Sequence, residues 1–166
     1  MDMQLSTHFS LAEFTRSQAA TRAGLSNQPT SLIVIANLRR TAALLEQVRT
    51  VLGGKPVFVD SGYRSPKVNG LVGGSANSAH CDGRAVDFIC PEFGTPKQIC
   101  VAILQAGLVF DQLIYEGTWV HVAVPWTGSG RPFDKLRANG FEGKPRGEVL
   151  TAVFGKKGTS YLTGLV

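Results

Sequence analysis

The sequence has few of the features that mark secreted disulfide scaffolds, membrane proteins or disordered chains. Its three cysteines, Cys81, Cys90 and Cys100, are an odd number without Cys-x-x-Cys spacing. This argues against a disulfide framework or a zinc ribbon and favours reduced, buried thiols. No apolar run approaches the length of a membrane span, so no transmembrane helix is expected. Charged residues make up 17% of the chain and hydrophobic residues 43%, which is typical of a globular protein.

The amino terminus lacks the basic start and apolar segment of a secretory signal, since it begins Met1-Asp2-Met3-Gln4. We therefore expect synthesis in the cytoplasm. The net charge of +5 favours anionic partners in general, but no basic stripe interleaved with aromatic residues is present, so nucleic acid is not expected as a partner. A chain of 166 residues fits one domain, residues 1–166, and nothing indicates an obligate dimer, so we expect a monomer.

Hydrophobic periodicity predicts an α+β fold, in which helices pack on one face of a small, mostly antiparallel sheet. Capping boxes at Ser10 and Thr95 predict the starts of two helices. Another helix is predicted after Thr30 from apolar residues at three- and four-residue steps, namely Leu32, Ile35, Leu38, Ala42, Leu45, Val48 and Leu52. Strands are predicted at 57–60, 85–89, 112–115 and 119–124, with a loop over 61–74. An irregular surface segment at 125–147 is expected to precede a C-terminal hairpin within 148–166.

Two imidazoles and a carboxylate form the candidate metal site. His80 stands seven residues before Asp87, and His121 lies in an alternating apolar run that predicts a strand. Two histidines and one aspartate leave one position open on a tetrahedral zinc, as in catalytic zinc sites. An aspartate inside an apolar strand needs a partner or a metal. For each histidine alone a surface or hydrogen-bonded imidazole is the alternative, and Cys81 is a competing soft ligand; His8 is assigned no role.

These residues fall in a longer pattern: Ser78-x-His80-x-x-Gly83-x-Ala85-x-Asp87, then Trp119-x-His121, with Ser61-Gly-Tyr-Arg-Ser-Pro66 upstream. The pattern resembles the signature of the zinc D-Ala-D-Ala carboxypeptidase and L-alanyl-D-glutamate endopeptidase family, which includes phage endolysins and the hedgehog signalling domain. The resemblance covers roughly residues 7–124. It implies the hedgehog-like peptidase fold, zinc as cofactor, and His80, Asp87 and His121 as the metal ligands.

The resemblance also implies the catalytic residues. The family often carries its general base three residues before the last histidine, where this chain has Thr118, which cannot act as a base. Glu116 is the candidate instead, with Asp82 or Asp111 as alternatives. Arg64 is expected to face the substrate and hold the oxyanion. Ser78 and Tyr63 are expected to bind substrate.

The implied activity is hydrolysis of peptidoglycan stem-peptide bonds that involve D-amino acids, by a D,D-carboxypeptidase or an endolysin-type endopeptidase. Without a signal segment, a phage or prophage lysin released to the cell wall is the expected source. The alternative is a non-catalytic cell-wall-binding or signalling-type relative that keeps the zinc site, and the absence of an acid at Thr118 favours it.

Overall fold

The computed structural model describes residues 2–127, 146–155 and 158–166. The helices in these ranges are α1 (Leu11–Thr15), α2 (Gln18–Arg22), α3 (Leu32–Val51), α4 (Pro66–Leu71) and α5 (Pro96–Gln105), together with a 3₁₀ turn at Ala79–Asp82. The strands are β1 (Phe58–Ser61), β2 (Ala85–Ile89), β3 (Gln112–Tyr115), β4 (Val120–Ala123), β5 (Glu148–Gly155) and β6 (Gly158–Thr163).

The described strands form one sheet in the order β1-β2-β4-β3-β5-β6. All neighbouring pairs are antiparallel except β3 and β5, which run parallel. The sheet is therefore mixed, with the mostly antiparallel character that the sequence predicts. The parallel pair arises because the C-terminal hairpin, formed by β5 and β6, joins the main sheet along β3.

Strand alternation gives the sheet two different faces. Because successive side chains point to opposite sides, Val86, Phe88, Val120 and Val122 share one face with Leu113. These five residues are fully buried and belong to the same hydrophobic cluster as the apolar side chains of α3 and α5. The opposite face carries Asp87 and His121 and is available for a site.

Helix α3 supplies much of the core through Leu38, Ala42, Leu45 and Val48, at the predicted spacing. The predicted apolar stripe is wrong at its first member, since Leu32 is 85% exposed. Periodicity alone therefore overstates the length of the buried stripe.

The two predicted capping boxes are both formed, at Ser10 for α1 and at Thr95 for α5. The loop predicted over 61–74 is wrong in part, because α4 occupies Pro66–Leu71. Ser65 caps α4 by accepting a hydrogen bond from the Val68 amide, and Pro66 stands in the first turn of α4.

Within the described residues no helix is both long and apolar enough to cross a membrane. The segment predicted as irregular, 125–147, lies mostly outside the described residues.

Candidate metal centre and catalytic cleft

The register of the sheet brings two of the predicted ligands together. Asp87 on β2 pairs directly with His121 on β4, and His121 in turn pairs with Ile114 on β3. Paired residues lie on the same face of a sheet, so Asp87 and His121 are neighbours on the face away from α3 and α5. Residues 34 positions apart in the chain thus become adjacent.

The third ligand, His80, comes from the 3₁₀ turn before β2. The Ser78 hydroxyl accepts a hydrogen bond from the His80 amide at the start of this turn. Gly83 ends the turn with a φ of 71°, and a Cβ there would lie 2.9 Å from the Val34 carbonyl oxygen, so only glycine fits without strain. The turn thereby directs the His80 ring toward the sheet.

One hydrogen bond fixes which nitrogen of His80 is free. His80 Nδ1 donates to the Gly62 carbonyl oxygen at 2.6 Å, and a carbonyl can only accept. In the neutral ring the Nε2 atom is therefore the unprotonated nitrogen, and it faces the other two candidate ligands. Support of this kind for a metal-binding histidine orients the ring and sets its tautomer.

The three donor atoms converge. Asp87 Oδ1 lies 2.8 Å from His121 Nδ1 and 3.2 Å from His80 Nε2, and the two nitrogens are 3.3 Å apart. Zinc bonds of about 2.0 to 2.1 Å in tetrahedral geometry would separate the donors by roughly 3.3 Å. The cluster therefore fits a zinc ion after an opening of about 0.5 Å at its shortest edge, between Asp87 and His121. His80, Asp87 and His121 would then supply three of the four ligands of a tetrahedral zinc site.

Electrostatics hold His80 and Asp87 in the protonation states that a metal needs. Burial lowers the pKa of His80, although the neighbouring Asp87 carboxylate opposes this effect, so the ring is neutral near pH 7. Burial alone would raise the pKa of Asp87, but His80 and His121 hold it well below its usual range. A neutral imidazole and an ionised carboxylate are the ligand forms of these residues.

Arg64 contacts the outer oxygen of the aspartate. Its guanidinium donates to Asp87 Oδ2 at 2.8 Å and to Ser61 Oγ at 2.9 Å. This ion pair occupies Oδ2, so Asp87 presents only Oδ1 to the cluster. The Arg64 side chain is still one-fifth exposed and lines the cleft beside the ligands.

Sequence reasoning missed the residue that holds the Arg64 loop. Asn27 is buried; its amide nitrogen donates to the carbonyl oxygens of Thr15 and Tyr63, and its side-chain oxygen accepts from the Ser65 amide. These bonds fix the backbone on both sides of Arg64. Asn27 stands in an unremarkable polar stretch, so no pattern in the sequence could have indicated this role.

The ligands lie at the floor of a cleft of about 390 Å³ that is also lined by Glu116. Glu116 follows β3 on the same face as Ile114, and it is 8% exposed. Burial raises the pKa of its carboxyl group, an effect that His121 partly offsets. A carboxylate with a raised pKa beside a metal site is suited to accept and return a proton near neutral pH.

The alternative bases do not line the cleft among the described residues. Asp111 is held by Arg146, with Nε donating to both carboxylate oxygens at 3.0 Å and a terminal nitrogen donating to Oδ2 at 2.8 Å. Asp82 lies 3.6 Å from Arg84 in a buried ion pair. Thr118 is exposed in the turn between β3 and β4. Glu116 is therefore the candidate base that the structure brings to the ligands.

The remaining predicted residues divide between the cleft and the core. Ser78 lines the cleft and caps the turn of His80. Tyr63 instead lies in the hydrophobic core, 8% exposed, and is not among the described residues that line the cleft. Cys81 is buried but does not join the cluster of possible metal ligands. His8 pairs with Glu46 at 2.9 Å, apart from that cluster.

Two comparisons with known proteins bear on the family of this chain. The sequence model of the family described as peptidase M15 matches residues 7–123, which include all three ligands, Arg64 and Glu116. The chain is also similar to the zinc D-Ala-D-Ala carboxypeptidase of Streptomyces albus G, with 35% identity over 99 residues. That alignment covers 60% of this chain and 36% of the relative, so the chain spans about a third of the relative's length.

Proposed function

The chain belongs to the peptidase M15 family, and from that premise we propose that it is a zinc-dependent peptidase that hydrolyses peptidoglycan stem-peptide bonds involving D-amino acids. The family predicted from the sequence is thereby confirmed, and zinc as the cofactor is confirmed by the family together with the two-histidine, one-aspartate donor set. The observation that carries the proposed activity is the convergence of these ligands with Glu116 and Arg64 in one cleft.

Bound by His80, Asp87 and His121, zinc would act as a Lewis acid that lowers the pKa of water and polarises a carbonyl group. Glu116 takes a proton from the attacking water and returns it to the nitrogen of the departing amine. Its buried position suits both steps, because a raised pKa brings the two protonation states closer in energy near neutral pH.

Arg64 has two roles in this mechanism. One terminal nitrogen holds Asp87 Oδ2, which keeps the ligand in place. The guanidinium also borders the cleft, where its other N–H groups can donate to the carbonyl oxygen as negative charge develops on it. Ser78 also borders the cleft and can contact the substrate backbone.

The substrate class rests on the Streptomyces relative, whose name gives D-Ala-D-Ala as its target. Exopeptidase and endopeptidase cleavage of the stem are both within the proposal. A lysin that reaches the cell wall after release from the cytoplasm is the setting that we propose for this activity.

Digestion of purified muropeptides, followed by mass spectrometry, tests the proposal. The wild-type protein loaded with zinc should produce new fragments that differ by one hydrolysed peptide bond, and a chelator should abolish them. His121→Ala should lose both zinc and activity. His8→Ala is the matched control, since this histidine lies outside the ligand cluster, and it should retain both.

The competing function is binding to the cell wall without catalysis. It would be favoured if the zinc-loaded wild-type protein bound peptidoglycan sacculi but left every muropeptide intact. Hydrolysis that persisted in His121→Ala and in the presence of chelator would contradict the zinc mechanism itself.

A further inference from the structure

The C-terminal hairpin, β5 and β6, contributes to the cleft although it lies beyond residues 7–123, the range that the family accounts for. Leu150 on β5 pairs with Ile114 on β3, which pairs with His121 on β4. The hairpin therefore extends the same sheet face that carries the metal ligands. Its residues Leu150, Phe154, Thr159 and Tyr161 line the cleft.

The hairpin is fixed against the rest of the sheet by several contacts. β5 pairs in parallel with β3 from Glu148 to Thr151. Thr151 Oγ1 donates to the Gly164 carbonyl oxygen at 2.8 Å and accepts from the Val166 amide at 3.1 Å. At the far end the Phe154 ring lies 6.2 Å from the Trp119 ring. The cleft-lining side chains of the hairpin are thus held in defined positions.

Tyr161 brings a phenol hydroxyl to this wall of the cleft. It pairs with Ala152 on β5, and β5 lies beside β3, whose next residue is Glu116. Two strand spacings separate Tyr161 from β3, roughly 10 Å between backbones. Because Ala152 is small, the Tyr161 ring can lean across it toward Glu116. Tyr161 is about half exposed, at 51%, so a substrate can contact it.

The electrostatics agree with this placement. Burial raises the pKa of the Tyr161 hydroxyl, and the nearby charges of Glu116 and Asp87 raise it further. The hydroxyl therefore remains protonated at neutral pH and available as a hydrogen-bond donor.

We propose that Tyr161 is a substrate-contacting residue that recognises the amino acid on the leaving side of the scissile bond. In the proposed function Glu116 delivers a proton to the leaving nitrogen, so the leaving residue lies on the Glu116 side of the cleft, where Tyr161 stands. Its hydroxyl donates to the carboxylate or carbonyl oxygen of that residue. This inference rests on the proposed function and adds a recognition element outside the part of the chain that the family explains.

The experiment uses two synthetic stem peptides that share the bond found by muropeptide digestion. In one peptide the leaving residue ends in a free carboxylate, and in the other it ends in a primary amide. The zinc-loaded wild-type protein, Tyr161→Phe and Tyr161→Ala are compared on both. Tyr115→Phe is the matched control, because Tyr115 lies beside Glu116 in sequence but packs against the core cluster.

Since a hydrogen bond to a charged acceptor is stronger than one to a neutral acceptor, kcat/KM of Tyr161→Phe should fall about tenfold to hundredfold on the acid and about fivefold on the amide. Tyr161→Ala should lose more on both peptides, because the ring is also removed. Zinc affinity should stay at the wild-type value in both variants, and Tyr115→Phe should match the wild type in activity.

Equal rates for Tyr161→Phe and the wild type would overturn the inference while leaving the proposed function intact. An equal loss on both peptides would also overturn it, since the hydroxyl would then contact a part of the substrate other than the leaving residue's terminal group. A wild-type protein that cleaves no stem peptide would instead refute the proposed function.

Discussion

Replacing Glu116 by glutamine is the sharpest test of the mechanism, because it removes a proton acceptor while keeping the size and shape of the side chain. Glu116 is buried beside the ligand cluster but is not one of the three ligands. We therefore expect Glu116→Gln to bind zinc as the wild type does and to have a strongly reduced kcat. A positioned general base contributes about 10²- to 10⁴-fold, which corresponds to roughly 3 to 5.5 kcal/mol of transition-state stabilisation.

The pH dependence of kcat/KM provides a second test of Glu116 as the base. The base must be deprotonated to act, so kcat/KM should fall as pH decreases through the pKa of Glu116. Burial raises that pKa, so this fall should lie above the ordinary glutamate value of about 4.3. The residual activity of Glu116→Gln should not show this decrease in kcat/KM at low pH.

Asp111→Asn is the matched control, because it makes the same carboxylate-to-amide change at a rival base. Asp111 is buried and bound by Arg146, so this variant should lose stability, by about 1 to 3 kcal/mol, rather than kcat. Steady-state kinetics, zinc quantification and chemical denaturation measure the three quantities. A Glu116→Gln variant with wild-type kcat, or a folded Asp111→Asn variant without activity, would refute the assignment of the base.

Three further predictions follow from the geometry. Arg64→Ala should reduce kcat by about 10²- to 10³-fold through loss of a donor to the developing oxyanion, and Arg64→Lys should recover only part of it; equal kcat values for wild type and Arg64→Ala would contradict this role. Gly62→Ala should lower the free energy of unfolding by about 1 to 3 kcal/mol in denaturant titrations, because its Cβ would lie 2.5 Å from the Phe14 carbonyl oxygen; unchanged stability would show that the contact relaxes freely. Burial raises the pKa of Cys100 to about 12, so at pH 8 this thiol should react with a thiol reagent only after unfolding, and rapid labelling of the native protein would refute its burial.

Most of the strands, and Asp87 as a residue that needs a partner, could be predicted because their signals are local. The strand at Ala85–Ile89 has an apolar run interrupted by one aspartate, and that interruption marks Asp87 as a residue with a partner. The capping residues Ser10 and Thr95 identify two helix starts from four residues each. Such signals need no knowledge of the tertiary fold.

Other parts of the site could not be predicted because they depend on contacts between distant segments. The Gly62 carbonyl that fixes the His80 tautomer is a backbone group, and any residue type supplies a carbonyl. Asn27 acts through bonds to three backbone groups on two segments. Tyr161 reaches the cleft only because β5 joins β3 in parallel, and neither strand's sequence specifies that pairing.

The metal site also depends on the hydrophobic core through strand register. Val86 pairs with Val122 and Phe88 with Val120 on the helix-facing side, and the same register places Asp87 opposite His121 on the cleft side. A slip of one residue between β2 and β4 would turn Asp87 or His121 toward the apolar face, where an unpaired charge is costly. Burial of the valines and the phenylalanine therefore selects the one alignment in which the ligands meet. The core thus determines the ligand geometry before a metal binds, and the cluster needs no rearrangement of the sheet to receive one.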